Sequence, residues 1–213
     1  RAGTPLIEMV TEPDIYSPEE ANLVLTEVRK MVRYLDIGDA NMEEGSFRCD
    51  VNISLRKKGT DTLGQKVEIK NMNSIRNIQQ AIKFEIGRQS DLLEKGESII
   101  QETRGFVDDE GITVDMRTKE NANDYRYFPD PDLTPVHISE EWLESIRSGL
   151  PKLHYELEAA FIKDFGLGEY DAHFLTESKE FAEYFIAITK QTTHYKAAAN
   201  WMTGPIKSYF NDS

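Results

Sequence analysis

Phe47-Arg48-Cys49-Asp50-Val51-Asn52-Ile53-Ser54-Leu55-Arg56 alternates without a break, apolar at odd positions and polar at even ones. A period of two is that of a β-strand with one face in a core. After a turn containing Gly59 and Gly64, Val67-Glu68-Ile69-Lys70 alternates again. The two runs are expected to pair as a hairpin, which places Glu68 and Lys70 on a common face. Arg48, Asp50 and Asn52 form the polar face of the first run, and Glu68, Lys70, Asn71 and Asn73 follow on the adjoining one.

Outward from the hairpin, helices and strands alternate. Ser17-Pro18-Glu19-Glu20 sets a capping serine, a proline at the first helical position and a glutamate three after the cap, a helix start. Val24, Val28, Met31 and Leu35 then repeat at helical spacing, and Gly38 is expected to end the helix. A second amphipathic helix is expected over 74–95, carried by Ile75, Ile78, Ile82, Ile86, Gln89 and Leu93. Leu6 to Val10, Ser98 to Phe106 and Ile112 to Thr118 read as further strands, the last two joined by the acidic turn 108–111. Tyr125-Arg126-Tyr127-Phe128-Pro129 reads as an ordered irregular loop whose aromatic residues pack against the core. From Ser139 onward every segment is helical, with Gly204-Pro205 as a stop. The expected class is α+β: a mixed or antiparallel sheet domain over 1–138, then an all-helical module over 139–213.

The 213 residues allow one large domain or two small ones. Asp and Glu outnumber Lys and Arg by 38 to 25, a net charge of −13, which excludes bulk electrostatic attraction to nucleic acid or acidic membranes. Hydrophobic residues make up 39% of the chain, enough for a core, so the acidity does not signal a disordered tail. The lone Cys49 rules out an internal disulfide and a cysteine-built zinc site, and fits a cytosolic protein. No apolar run approaches the roughly 20 residues of a membrane helix. The opening Arg1-Ala2-Gly3-Thr4-Pro5 reads as the interior of a domain, so the chain is expected to be a fragment of something longer.

Several motifs fail on context. Gly59 to Gly64 has phosphate-loop spacing, but a strand follows where a helix is needed. Asp164-Phe165-Gly166 matches a kinase triplet in letters and sits at a helix end, where glycine serves as the cap. His137, His154, His173 and His194 lack ligand spacing, and the lysines of the helical module read as a solvated face. The polar sheet face is the better candidate. Its carboxylates and amides can hold a divalent cation through hard oxygen ligands, while its Arg and Lys can neutralise phosphates. Glu43 and Glu44 add adjacent carboxylates in the turn before it. Glu8 interrupts the apolar run Leu6-Ile7-Glu8-Met9-Val10, and an inward carboxylate there has to be paired or ligated.

Five stretches carry a resemblance that periodicity does not supply: 1–8, 42–52, 68–74, 101–104 and 124–129, together with Glu169-Tyr170-Asp171-Ala172. In order and over nearly the whole chain, they resemble the GatB family, one of the subunit families of the aspartyl/glutamyl-tRNA amidotransferases. The resemblance implies a carbon–nitrogen ligase that converts glutamate or aspartate misacylated on tRNA into the amide. A separate amidase subunit would release ammonia from glutamine, and a small third subunit would complete the heterotrimer. The GatB subunit would use ATP and Mg2+ to phosphorylate the side-chain carboxyl. The resemblance implies Glu8 and Glu68 as metal-site carboxylates, with Arg48, Asp50 and Lys70 arranging phosphates and substrate. Glu43 and Glu44 would orient ammonia or shape the turn. The fragment alone is expected to be inactive. The rival readings are a non-catalytic RNA- or protein-binding module and a metal-dependent hydrolase.

Overall fold

The computed structural model describes residues 4–118, 132 and 134–211. The chain divides into two compact units: Arg1–Thr26 with Met42–Ala122, and Glu27–Asn41 with Asn123–Ser213. Helix α1 (Pro18–Tyr34) therefore gives its first half to one unit and its second half to the other. Its start is built as its sequence requires: Ser17 Oγ accepts the Glu20 N–H at 3.0 Å, and Glu20 Oε2 accepts the Tyr16 N–H at 2.6 Å.

In the first unit, β1 (Val51–Ile53), β2 (Val67–Lys70), β3 (Glu102–Val107) and β4 (Ile112–Thr118) form one sheet in that order. β1 pairs antiparallel with β2, β2 parallel with β3, and β3 antiparallel with β4, the mixed sheet of an α+β fold. The parallel step is made by α2 (Ile75–Glu94), which crosses from β2 to β3. Val67 and Ile69 point into the core with Ile78, Ala81, Ile82 and Phe106, so Glu68 and Lys70 take the opposite face.

The expected hairpin is present, but β1 is three residues long rather than ten. Its register explains why. Val51 lies opposite Ile69, so a longer strand would place Cys49 opposite Asn71, where the backbone turns away at φ +65°. Beyond the other end, Gly64 passes so close to Leu55 that a Cβ would lie 2.2 Å from the Leu55 carbonyl oxygen.

Three other expectations are corrected. Leu6 to Val10 is exposed and in no strand: among the described residues it pairs with neither edge of the sheet, β1 or β4, and an apolar run without a partner is not a strand. α1 ends at Tyr34, and the left-handed residue that closes it is Asp36 at φ +54° rather than Gly38, with Ile37 N–H bonded to Val32 O and Asp36 N–H to Arg33 O. Gly204-Pro205 does not stop the last helix. Pro205 lacks an N–H, and the chain absorbs this in a wide π turn, Met202–Ile206, before α8 (Lys207–Asn211).

The second unit holds α3 (Glu140–Gly149), α4 (His154–Phe165), α5 (Glu169–Leu175), α6 (Lys179–Thr189) and α7 (Tyr195–Trp201). Phe161, Leu175, Phe185 and Met202 centre its core, and Gly166 caps α4 at φ +65° as a plain helix end. Tyr34 is buried and donates its hydroxyl to Thr176 O at 2.8 Å. The expected aromatic loop, Tyr125 to Phe128, lies outside the described residues. Among those described, no helix is long and apolar enough to cross a membrane.

Candidate functional site

The exposed face of the sheet joins three segments through charged groups. Lys70 on β2 donates to Asp50 Oδ2 at 2.9 Å and stands 3.4 Å from Glu68 Oε1. On the far side of Glu68, Thr103 on β3 donates its hydroxyl to Glu68 Oε2 at 2.9 Å. The hydrogen bond to Asp50 raises the pKa of Lys70; desolvation opposes this, and the charges of Asp50 and Glu68 add to the rise. Lys70 is therefore firmly cationic at neutral pH. One ammonium touching both carboxylates brings them within reach of a single cation.

The other candidates are distributed differently. Arg48 is exposed in the segment leading to β1, and Glu43 and Glu44 are exposed in the turn that Gly45 closes onto Met42 O. Asn71 turns toward Met116 Sδ at 3.8 Å. Asn73 is not on the strand: its Oδ1 accepts from Asn77 Nδ2 at 2.7 Å, which ties down the start of α2 beside the capping Ser74. Glu8 is corrected as an inward carboxylate, since its whole segment is exposed and desolvation is not what constrains it. Burial, and then Asp50, push the Cys49 thiol up to about 11, which makes it a poor nucleophile. In the second unit, Lys179 pairs with Asp36, Lys196 with Asp171, and Lys207 lies 4.1 Å from the centre of the Phe174 ring. These three lysines serve contacts within the unit.

Sequence reasoning passed over a buried charge network on the other face of the sheet. Glu85 is fully buried in the stripe of α2 that faces the strands. Arg88 Nε donates to Glu85 Oε1 at 2.9 Å, Arg104 Nε lies 3.1 Å from the same oxygen, and Gln89 Nε2 donates to Oε2 at 3.1 Å. Thr113 also donates to Glu85. Glu102 accepts from Arg104 at 2.9 Å and from Arg88 at 3.2 Å, and Arg104 further pairs with Asp115. Burial pushes the Glu85 carboxyl up, but hydrogen bonds from Arg88, Thr113 and Gln89 outweigh it and hold its pKa below the usual carboxylate value. The readable signal was the helical spacing 78, 82, 85, 89, which puts Glu85 in an apolar stripe.

A sheet face of this construction, carried by these particular motifs, can be compared with known proteins. The family model described as the GatB/GatE catalytic domain matches residues 1–144. The chain belongs to the GatB/GatE catalytic domain family. Three curated relatives carry the name of the B-type subunit of aspartyl/glutamyl-tRNA(Asn/Gln) amidotransferase. That of Thioalkalivibrio sulfidiphilus is 50% identical over 212 residues, covering 99% of this chain and 44% of the relative. That of Desulfotalea psychrophila is 51% identical over 202 residues, covering 95% and 43%. That of Caldicellulosiruptor bescii is 47% identical over 212 residues, covering 100% and 44%. The chain thus spans under half the length of these GatB relatives.

Proposed function

We propose that the chain works within the GatB subunit of a tRNA-dependent amidotransferase, in the cytosol, and that the exposed face bearing Asp50, Glu68 and Lys70 is part of its site for activating a carboxyl group. The observation that carries this reading is the contact of one lysine with two carboxylates on a face whose motifs are those of the family. A carboxylate oxygen of glutamate or aspartate esterified to tRNA would attack the terminal phosphorus of ATP and release ADP. Ammonia delivered from the amidase subunit would then attack the acyl carbon, expelling phosphate and leaving the amide after loss of a proton. The small third subunit would complete the assembly.

Such chemistry needs positive charge around the transferred phosphoryl group and a dry, preorganised site. Lys70, held cationic by its neighbours, and Arg48, two residues before Asp50, supply charge toward phosphate oxygens. Magnesium commonly takes one or two carboxylates and completes its shell with water and phosphate. Glu68 and Glu8 would supply such carboxylates, Glu8 by family similarity alone, while Asp50, held by Lys70, would help arrange phosphates and substrate. Bound there, magnesium would offset the charge developing on the transferred group. Glu43 and Glu44 belong to the turn that leads into this face and would orient ammonia or shape the turn. The unit of Arg1–Thr26 with Met42–Ala122 would carry the catalytic face, and the helical unit, which takes in Glu27–Asn41 and begins before residue 139, would help position tRNA.

A second reading, a docking surface for tRNA or protein without catalysis, is favoured by one observation: Lys70 already compensates both carboxylates. Titration of the full-length subunit, in its complex, with manganese separates the two. Binding that disappears in Glu68→Gln and Glu8→Gln supports the catalytic site; absence of binding with tRNA affinity intact supports the docking surface.

A further inference from the structure

We propose that Thr103 is a positioning residue that fixes the carboxylate of Glu68 for cation binding, an inference that rests on the catalytic reading above. Thr103 and Glu68 are direct partners in the parallel register of β2 and β3. Thr103 is 1% exposed, yet its hydroxyl is directed to a carboxylate oxygen on the exposed face, Glu68 Oε2 at 2.9 Å. A β-branched side chain in a strand has few χ1 choices, so the direction of that hydroxyl follows from the backbone. With Oε2 engaged by Thr103, Oε1 is the oxygen turned to Lys70, on the side of Asp50.

The backbone of Thr103 is in turn fixed by its two neighbours on the opposite face. Arg104 donates from Nε to Thr113 Oγ1 at 2.8 Å and from a terminal nitrogen to Thr113 O at 2.9 Å. Glu102 accepts from both Arg88 and Arg104. The buried network and the exposed cluster thus share one strand, and Thr103 is the residue through which the rigidity of the first reaches the second. Groups that hydrogen-bond a metal-ligating carboxylate are typically worth about 10–100-fold in metal affinity or activity.

The test uses manganese as the probe, titrated into the full-length subunit in its complex and followed by the electron paramagnetic resonance of the free ion, with thermal unfolding measured alongside. Thr103→Val keeps the shape and removes the hydroxyl; it is expected to weaken manganese binding about 10–100-fold, while Thr103→Ser, which keeps the hydroxyl, stays within about threefold of the parent. Should the valine variant fail to assemble, Thr103→Ala is read in its place with the same expectation. Manganese affinity in the hydroxyl-free variants equal to the parent, with Glu68→Gln still abolishing binding, overturns the role of Thr103 and leaves the site standing. A parent that binds no manganese, or a Glu68→Gln variant that binds it normally, overturns both.

Discussion

Lys70 donates to Asp50 across 2.9 Å and so ties β2 to the segment that enters β1, at the point where strand pairing has already ended. With side chains a third and a half exposed, this pair contributes little to folding. Exposed ion pairs are typically worth about 0–1 kcal/mol. Lys70→Met is therefore expected to change the unfolding free energy by less than about 1 kcal/mol. In the assembled enzyme the same change removes a preorganised cation, and ATP-dependent amidation is expected to fall on the order of 10²–10³-fold. Denaturant titration and single-turnover amidation, run on the same preparation, check the two halves.

Glu85 behaves in the opposite way, because it is buried between two arginines. Removing one member of a buried charge network leaves its partners desolvated and unpaired, so Glu85→Ala is expected to cost about 3–5 kcal/mol of stability, read from equilibrium unfolding.

The lowered pKa of Glu85 also sets a pH dependence. In the unfolded chain a glutamate titrates near ~4.3. The native state holds its charge to lower pH, so the stabilisation is complete above the unfolded value and is lost as pH falls through the folded one. Unfolding free energy measured from pH 7 downward is expected to fall less steeply below about pH 4.3 in Glu85→Gln than in the parent.

Cys49 gives a check on the environment of β1. With its thiol pushed up to about 11, against ~8.5 for a free cysteine, its thiolate fraction at pH 7.5 is lower by on the order of 10²-fold. Timed alkylation is expected to be slow by that factor in the native protein and to reach the free-cysteine rate in denaturant. Fast native labelling would show that the segment before β1 is not packed as described.

The elements whose local signals agree with one another were readable from sequence. The alternation through Val51 to Ile53 and Val67 to Lys70 located the hairpin, and the capping serine Ser17 located the start of α1. Leu6 to Val10 has the composition of a strand, but a strand exists only against a partner, and partners are not written in a local pattern. The parallel pairing of Glu68 with Thr103 and the salt network of Glu85 with Arg104 escaped for a related reason: each joins residues 19 or 35 apart in the chain through the crossover of α2. At the site, alternation sufficed to put Asp50, Glu68 and Lys70 on one face, while the contact with Thr103 required the third strand.

The most direct measurement uses free ammonium as the nitrogen source, so that the glutaminase step is bypassed, with misacylated glutamyl-tRNA and ATP as substrates for the assembled enzyme. Parent and Glu68→Gln are compared for amide formed per turnover, with thermal unfolding confirming that both are folded. The expected result is amidation by the parent and its loss in Glu68→Gln. Equal amidation by the two would contradict a catalytic role for the exposed sheet face.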